Sequence, residues 1–214
     1  MLAYSQSATQ KPTSASPSGT DSRQKVTQTK APLKHHATDT VGVVDGVVIA
    51  YGDFKAMMYE NLKTFVKRTH DNVVTDSLYT VIVDSTWDKA VSDIIMEREI
   101  AKRGLSLSDD AVIDSLSHNP PEFISAQFTD SLGVVHREYI ERSFKAQAQD
   151  SLIRVILMSE RIRLETERLM NSVLASSKSK ARTPRERQKV FDAWLRTTRA
   201  ALTITDRRTM FGFY

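Results

Sequence analysis

At 214 residues, with 40% hydrophobic and 26% charged side chains, the chain can bury a core without a disulfide or metal staple. It has no cysteine, which excludes disulfides, thiolate catalysis and cysteine-ligated metal, and its net charge of +4 is mild. No run approaches the ~20 apolar residues that a membrane-spanning helix needs.

Residues 1–40 are rich in Ser, Thr, Gln, Lys and Pro and poor in large apolar groups, so a disordered tail is expected there. The adjacent His35 and His36 lack further ligands and read as solvated rather than metal-bound. Val41 to Ala50 is β-branched and broken by Asp45-Gly46, a strong hairpin signal. Gly42 and Gly46 do not complete a phosphate-binding loop, and all seven glycines are accounted for as tail, turns and helix ends.

Residues 53–69 predict an amphipathic helix with Phe54, Met58, Leu62 and Phe65 on one face. Asp71 to Thr75 reads as a break, and a second helix follows from Asp76 to Arg103, with Ser85-Thr86 as a candidate interruption. Its stripe is Trp87, Val91, Ile94, Ile95 and Ala101; Lys102 and Arg103 suit the carbonyl end, and Gly104 ends it. Ser108 caps a third helix running to Ser117. Pro120-Pro121 stops that helix and leaves Phe123, Ile124 and Phe128 in a loop.

Helices over His136–Ala146 and Gln149–Ala175 come next, the second with Leu152, Val155, Ile156, Ile162, Leu169 and Val173 apolar. Residues 176–182 read as a linker. Thr183-Pro184-Arg185-Glu186 is a capping box with proline at the first helical position, opening a helix to about Ala200 with Val190, Trp194 and Leu195 inward. Residues 201–205 and 209–214 read as short strands, for which the Val41–Ala50 hairpin is the available partner.

The patterns of catalysis are missing from this sequence. It has no Gly-x-Ser-x-Gly elbow, His-Glu-x-x-His pair or phosphate loop. Asp71-Asn72-Val73-Val74-Thr75-Asp76 lacks the glycine and distal glutamate of a calcium loop. His70, His118 and His136 are isolated, and Glu97 and Glu99 fall on different helix faces. No cofactor or metal is therefore expected. A basic run, Lys178, Lys180, Arg182, Arg185, Arg187 and Lys189 against the single acid Glu186, is either a solvated linker and helix face or a surface for nucleic acid, anionic lipid or acidic polypeptide segments. Its lack of interleaved aromatics weighs against nucleic acid.

Several features together resemble the N-terminal chaperone domain of the SurA and PpiD type periplasmic proteins. They are the Val44-Asp45-Gly46-Val47-Val48-Ile49 turn followed by Asp53-Phe54, and the series Asp93, Met96, Ala101, Gly104-Leu105, Ser108-Asp109 and Val112. Phe128, Asp130, Gly133 and Tyr139 follow in the family's order. Where the family has a Ser or Thr helix cap, this chain has Ala50, so the cap must come from elsewhere, with Gly52 or Asp53 as candidates.

The resemblance implies a mainly α, multi-helix chaperone domain with a small β element formed by an N-terminal hairpin and C-terminal strands. It implies a domain over 41–214, made of an N-terminal part (41–175), the linker (176–182) and a closing helix and strands (183–214). The parvulin-type prolyl isomerase that the family inserts between those parts has no room in residues 176–182. The implied function is non-enzymatic: an ATP-independent, periplasmic chaperone for unfolded or outer-membrane-directed polypeptides, its signal peptide already removed. The alternative is a structural or adaptor protein that docks one partner through the same fold. Phe123, Ile124 and Phe128 are the candidate client-binding residues, rimming a crevice, unless they plug the core.

Overall fold

The computed structural model describes residues 35–69, 74–177 and 179–213. The expected disorder of residues 1–34 and the readings of His70 and residues 71–73 lie outside these, as do Lys178 and Tyr214. Seven helices and one three-stranded antiparallel sheet make up the described residues, so the protein is mainly α with a small β element.

Strands β1 (Thr40–Val44) and β2 (Val47–Ala50) form the expected hairpin. Asp45 and Gly46 close it with φ of 45° and 89°, the left-handed pair that a two-residue turn requires. β3 (Ile204–Asp206) pairs with the other edge of β1, giving the order β2-β1-β3. Gly42 is not a turn glycine. It lies in the central strand under the indole of Trp87, where an added Cβ would sit 2.2 Å from Cη2.

α1 (Tyr51–Thr69) leaves β2 without a break, two residues earlier than the sequence suggests. Neither Gly52 nor Asp53 caps it. The first amides are met by main-chain carbonyls: Tyr51 N–H donates to Asp39 O (2.7 Å) and Gly52 N–H to Ala37 O (2.9 Å). Residues 35–40 are thereby folded onto the body, although they read as tail. The His35 ring lies 4.6 Å from that of Phe211 and 5.4 Å from that of Tyr51.

α2 (Asp76–Lys102) is capped by Thr75, whose hydroxyl accepts from Leu78 N–H at 3.2 Å. It runs unbroken through Ser85 and Thr86. The buried Thr86 hydroxyl donates to Ile82 O (2.7 Å) and accepts from Asn61 Nδ2 (2.8 Å), so neither polar atom forces the helix open. Ala101 is exposed, and Ile100 is the buried residue at that end.

α3 (Asp109–His118) takes its cap from Ser108 as expected. Pro121 then opens a short helix, α4 (Glu122–Ser125), where a loop was predicted, because its carbonyl accepts from Ile124 N–H and Ser125 N–H. α5 (Arg137–Ala146) and α6 (Ser151–Ser176) follow, with Asp150 capping α6 through Leu152 N–H (2.8 Å) and Ile153 N–H (3.2 Å). α7 (Pro184–Ala200) carries the full capping box: Thr183 Oγ1 accepts from Glu186 N–H, and the Glu186 carboxylate accepts from Thr183 N–H.

Residues 209–213 do not form the second C-terminal strand expected over 209–214. The Asp206 carboxylate accepts from Arg208 N–H (3.0 Å) and grips its guanidinium (2.7 Å), turning the chain into a 3-10 turn over Arg208–Phe211. The buried Arg208 guanidinium lies 4.9 Å over the Trp87 ring and reaches Asp84 at 2.9 Å. Phe213 packs edge-on against Phe54, so the aromatic end docks through side chains rather than a ladder.

The apolar side chains gather into three clusters. One joins the sheet, α1, the stretch of α2 from Ile82 to Ile95, and Phe213. A second joins α3, α4, α5 and the front of α6 through Val112, Ile113, Leu116, Ile124, Ile140, Phe144 and Leu157. The third holds Ile100 of α2, Leu169 and Val173 of α6 and Phe191 of α7.

Candidate functional site

α6 is apolar on more than one side, and the two sides meet different fates. At 100° per residue, Ile153, Ile156 and Leu157 fall on one face and pack into the second cluster. Leu152, Val155, Met158, Ile162, Leu169 and Val173 fall on another. The last two are buried beneath Ile100 and Phe191. The first four are 54–66% exposed. One face of α6 is thus covered over its C-terminal half and bare over its N-terminal half.

Where the covered half ends, a crevice opens between α2 and α6. Its volume is about 310 Å³, with Met96 and Ile100 on one wall and Met158 and Ile162 on the other. Lys89, Asp93, Glu97 and Glu165 stand around it. Lys89 Nζ donates to Asp93 at 2.6 Å, and Glu165 accepts from Leu107 N–H at 2.7 Å. The spacing of the two helices is held by Arg103 at the end of α2. Its guanidinium donates to Glu99 (3.1 Å) and to Ser172 of α6 (2.9 Å) and lies 5.7 Å over the Trp194 ring of α7. An apolar row running into a methionine-lined crevice can take up apolar side chains of varied shape, because the thioether chain repacks at low cost.

The three residues singled out from the sequence are separated by the fold. Ile124 is 3% exposed and belongs to the second cluster. Phe128 is half-buried against the same cluster. Phe123, on the outer side of α4, is 57% exposed. The loop that follows, from Phe128 to His136, is pinned by Asp130. Its carboxylate accepts from Leu132 N–H (2.8 Å) and Val134 N–H (3.0 Å) and faces His136 Nε2 at 3.1 Å. The backbone N–H of Val134, with His136 and Leu132, holds the Asp130 carboxyl below its ordinary value. Asp130, with Glu138 at 3.5 Å from Nδ1, raises the His136 imidazole above its own. Leu132 and Val134 remain exposed on this loop.

Among the described residues, no group of three or more His, Asp or Glu could hold a metal. No helix there is long and apolar enough to cross a membrane. The α6 row is not separable in the sequence, where Leu152, Val155, Ile156, Ile162, Leu169 and Val173 are simply apolar. They span about 140° at 100° per residue, one broad stripe, so periodicity alone does not divide its bare part from its covered part.

A family model, the SurA-like N-terminal domain, matches residues 26–144, more than half of the chain. The match runs through α1 to α4 and ends inside α5, so α6, α7 and β3 lie beyond it. No curated relative and no solved structure matches the chain. The chain belongs to the SurA-like N-terminal domain family and has its chaperone-type, non-catalytic fold.

Proposed function

We propose that this member of the SurA-like N-terminal domain family is an ATP-independent, extracytoplasmic chaperone module that binds unfolded or outer-membrane-directed polypeptides. The observation that carries the reading is the bare row Leu152, Val155, Met158 and Ile162 leading into the α2–α6 crevice. A row of large apolar side chains left in water is a binding surface in search of a cover. Client segments would gain ~25 cal/mol for each Å² of apolar area they bury there, with no covalent step and no nucleotide. The exposed Phe123 offers a further aromatic contact, while Ile124 and Phe128 serve the core beneath it. The straightness of the row, all on one helix, also suits an adaptor that docks a single folded partner.

The test is suppression of aggregation of a chemically unfolded outer-membrane protein by the full chain and by Val155→Asp and Met158→Asp. Both sites are exposed, so the melting temperature should hold while suppression falls severalfold. Unchanged suppression by both variants would overturn the client-binding surface. Tight, saturable binding to one folded protein, with no response to varied peptides, would favour the adaptor.

A further inference from the structure

Residues 35–214 are electrically balanced: five of the 30 Lys and Arg and one of the 26 Asp and Glu fall in residues 1–34, leaving 25 of each. Against that balance, the outer face of α7 is locally cationic. Arg185, Lys189 and Arg196 lie at i, i+4 and i+11, within about 40° of one another around the helix, and Arg182 stands just before its cap. All four are exposed, and none makes an ion pair among the described residues. The other bases of α7 are engaged by neighbouring helices. Arg187 donates to Asn171 of α6 at 2.5 Å, and Arg199 pairs with Asp88 of α2 at 2.7 Å.

Against these four bases stand two ionised acids, Glu186 and Asp192, so the row keeps a net charge of +2. Glu186 is bent back onto the Arg182 and Thr183 amides, which hold its carboxyl below its ordinary value. Asp192 lies beside Lys189 and Arg196 and accepts from Gln188 Nε2 at 2.7 Å. The opposite face of the helix is fixed by the buried Phe191 and the half-buried Trp194 and Leu195, so the row is presented on a seated cylinder over roughly 16 Å.

We propose that the outer face of α7 is a docking surface for an anionic lipid bilayer, with Arg182, Arg185, Lys189 and Arg196 meeting headgroup phosphates. Guanidinium groups take phosphate oxygens in pairs, and a cluster of four or more Lys and Arg on an amphipathic helix is the pattern drawn to anionic headgroups. Charges strung along one helix face, beside the open hollow that Lys189, Asp192 and Arg196 share with Ser92 of α2, can meet several headgroups of an anionic sheet at once. Single-stranded nucleic acid would need aromatic platforms, and the aromatics of α7 are the inward-packed Phe191 and Trp194. This inference does not rest on the client-binding reading.

The experiment is flotation of the full chain with vesicles of phosphatidylcholine alone, and of phosphatidylcholine mixed with phosphatidylglycerol, at low and high salt. Two variants separate the sources of charge: Arg185→Gln/Lys189→Gln/Arg196→Gln on α7, and Arg23→Gln/Lys25→Gln/Lys30→Gln in the N-terminal stretch. Melting temperatures check that both remain folded. Salt-reversible binding to the phosphatidylglycerol vesicles alone is expected, kept by the N-terminal variant and weakened at least tenfold by the α7 variant, at roughly fivefold per charge. Absence of binding to phosphatidylglycerol would overturn the proposal, as would loss only in the N-terminal variant. Tighter binding to polyglutamate or to single-stranded DNA than to the vesicles, abolished by the α7 variant, would reassign the face and also overturn it.

Discussion

Gly42→Ala tests how the sheet is joined to α2. A Cβ at this position would stand 2.2 Å from Trp87 Cη2, 2.6 Å from Cζ3 and 2.8 Å from Thr205 O. Carbon atoms in contact settle at about 3.5–4.0 Å, so more than ~1 Å must be recovered by moving something. The indole has little freedom, being 3% exposed, with Phe54 at 6.3 Å against it and the Arg208 guanidinium over its face. Moving β1 instead breaks ladder bonds on both sides, since it is the central strand. Overpacking of this kind costs about 1–3 kcal/mol, and the smaller unfolded-state entropy of alanine returns about 0.4–1 kcal/mol. A net loss of about 1–2 kcal/mol should lower the melting temperature by roughly 2–8 °C for a chain of this size. Far-UV circular dichroism follows the transition, and in a Trp194→Phe background the emission of Trp87 should shift to the red. In a Trp87→Leu background the same Gly42→Ala change should cost less, because the ring is gone and only the Thr205 carbonyl at 2.8 Å remains in the way. An unchanged melting temperature, or an equal penalty with and without the indole, would refute the reasoning.

Ile124→Ala should cost about 2–5 kcal/mol in denaturant unfolding and Phe123→Ala well under 1, since Ile124 is buried and Phe123 is not; the reverse order would contradict the placement of α4. Deleting residues 183–214 removes β3, Phe191, Arg208 and Phe213 together, and should take several kcal/mol from the ~5–15 typical of a domain; equal melting of the shortened chain would show that α7 and β3 do not complete the fold. The raised His136 contributes stability below its ordinary pKa of 6.5 that is lost as pH rises through its folded value. The lowered Asp130 contributes above its ordinary 3.8 and is lost as pH falls through its own, so the protection of the Leu132 and Val134 amides, taken relative to their intrinsic exchange rates, should be greatest between those limits and should lose that pH dependence in Asp130→Asn. A protease-coupled assay on a Xaa-Pro peptide should show no acceleration, since seven residues between α6 and α7 leave no space for an isomerase domain; turnover that scales with pure protein would refute this.

Local chemistry was legible wherever one residue decides the outcome. Asp45-Gly46 made the hairpin, Ser108 capped α3, and Thr183 with Glu186 opened α7, because each satisfies backbone groups within four residues. Long-range choices were not legible in the same way. The first amides of α1 are met by the carbonyls of Ala37 and Asp39, and no spacing rule assigns a main-chain carbonyl to a helix start. Phe211 and Phe213 have the composition of a strand, yet the Asp206–Arg208 ion pair turns them into a plug on Tyr51 and Phe54. Gly42 looked like punctuation and is instead the space for an indole contributed from 45 residues away.

The same distinction governs the surfaces assigned to function. Periodicity shows that α6 carries a stripe, but the stripe is one pattern from Leu152 to Val173 and cannot say where its cover stops. The cover stops where α7 and Ile100 end, and that boundary turns Leu169 and Val173 into core and Met158 and Ile162 into crevice walls. The charges behave alike. Arg187 belongs to the basic run by sequence yet is spent on Asn171, while Arg196, seven residues past that run, completes the row with Arg185 and Lys189. A helix presents residues by angle, whereas a run is counted by position. The two outer faces, apolar on α6 and cationic on α7, therefore become visible only once each helix is seated. Because they draw on different side chains, losing one should leave the other intact: Met158→Asp should bind anionic vesicles as the unaltered chain does, and the α7 glutamine variant should suppress aggregation as it does. Joint loss of both activities from either change would mean that the two faces are a single surface, and would end their separate assignment.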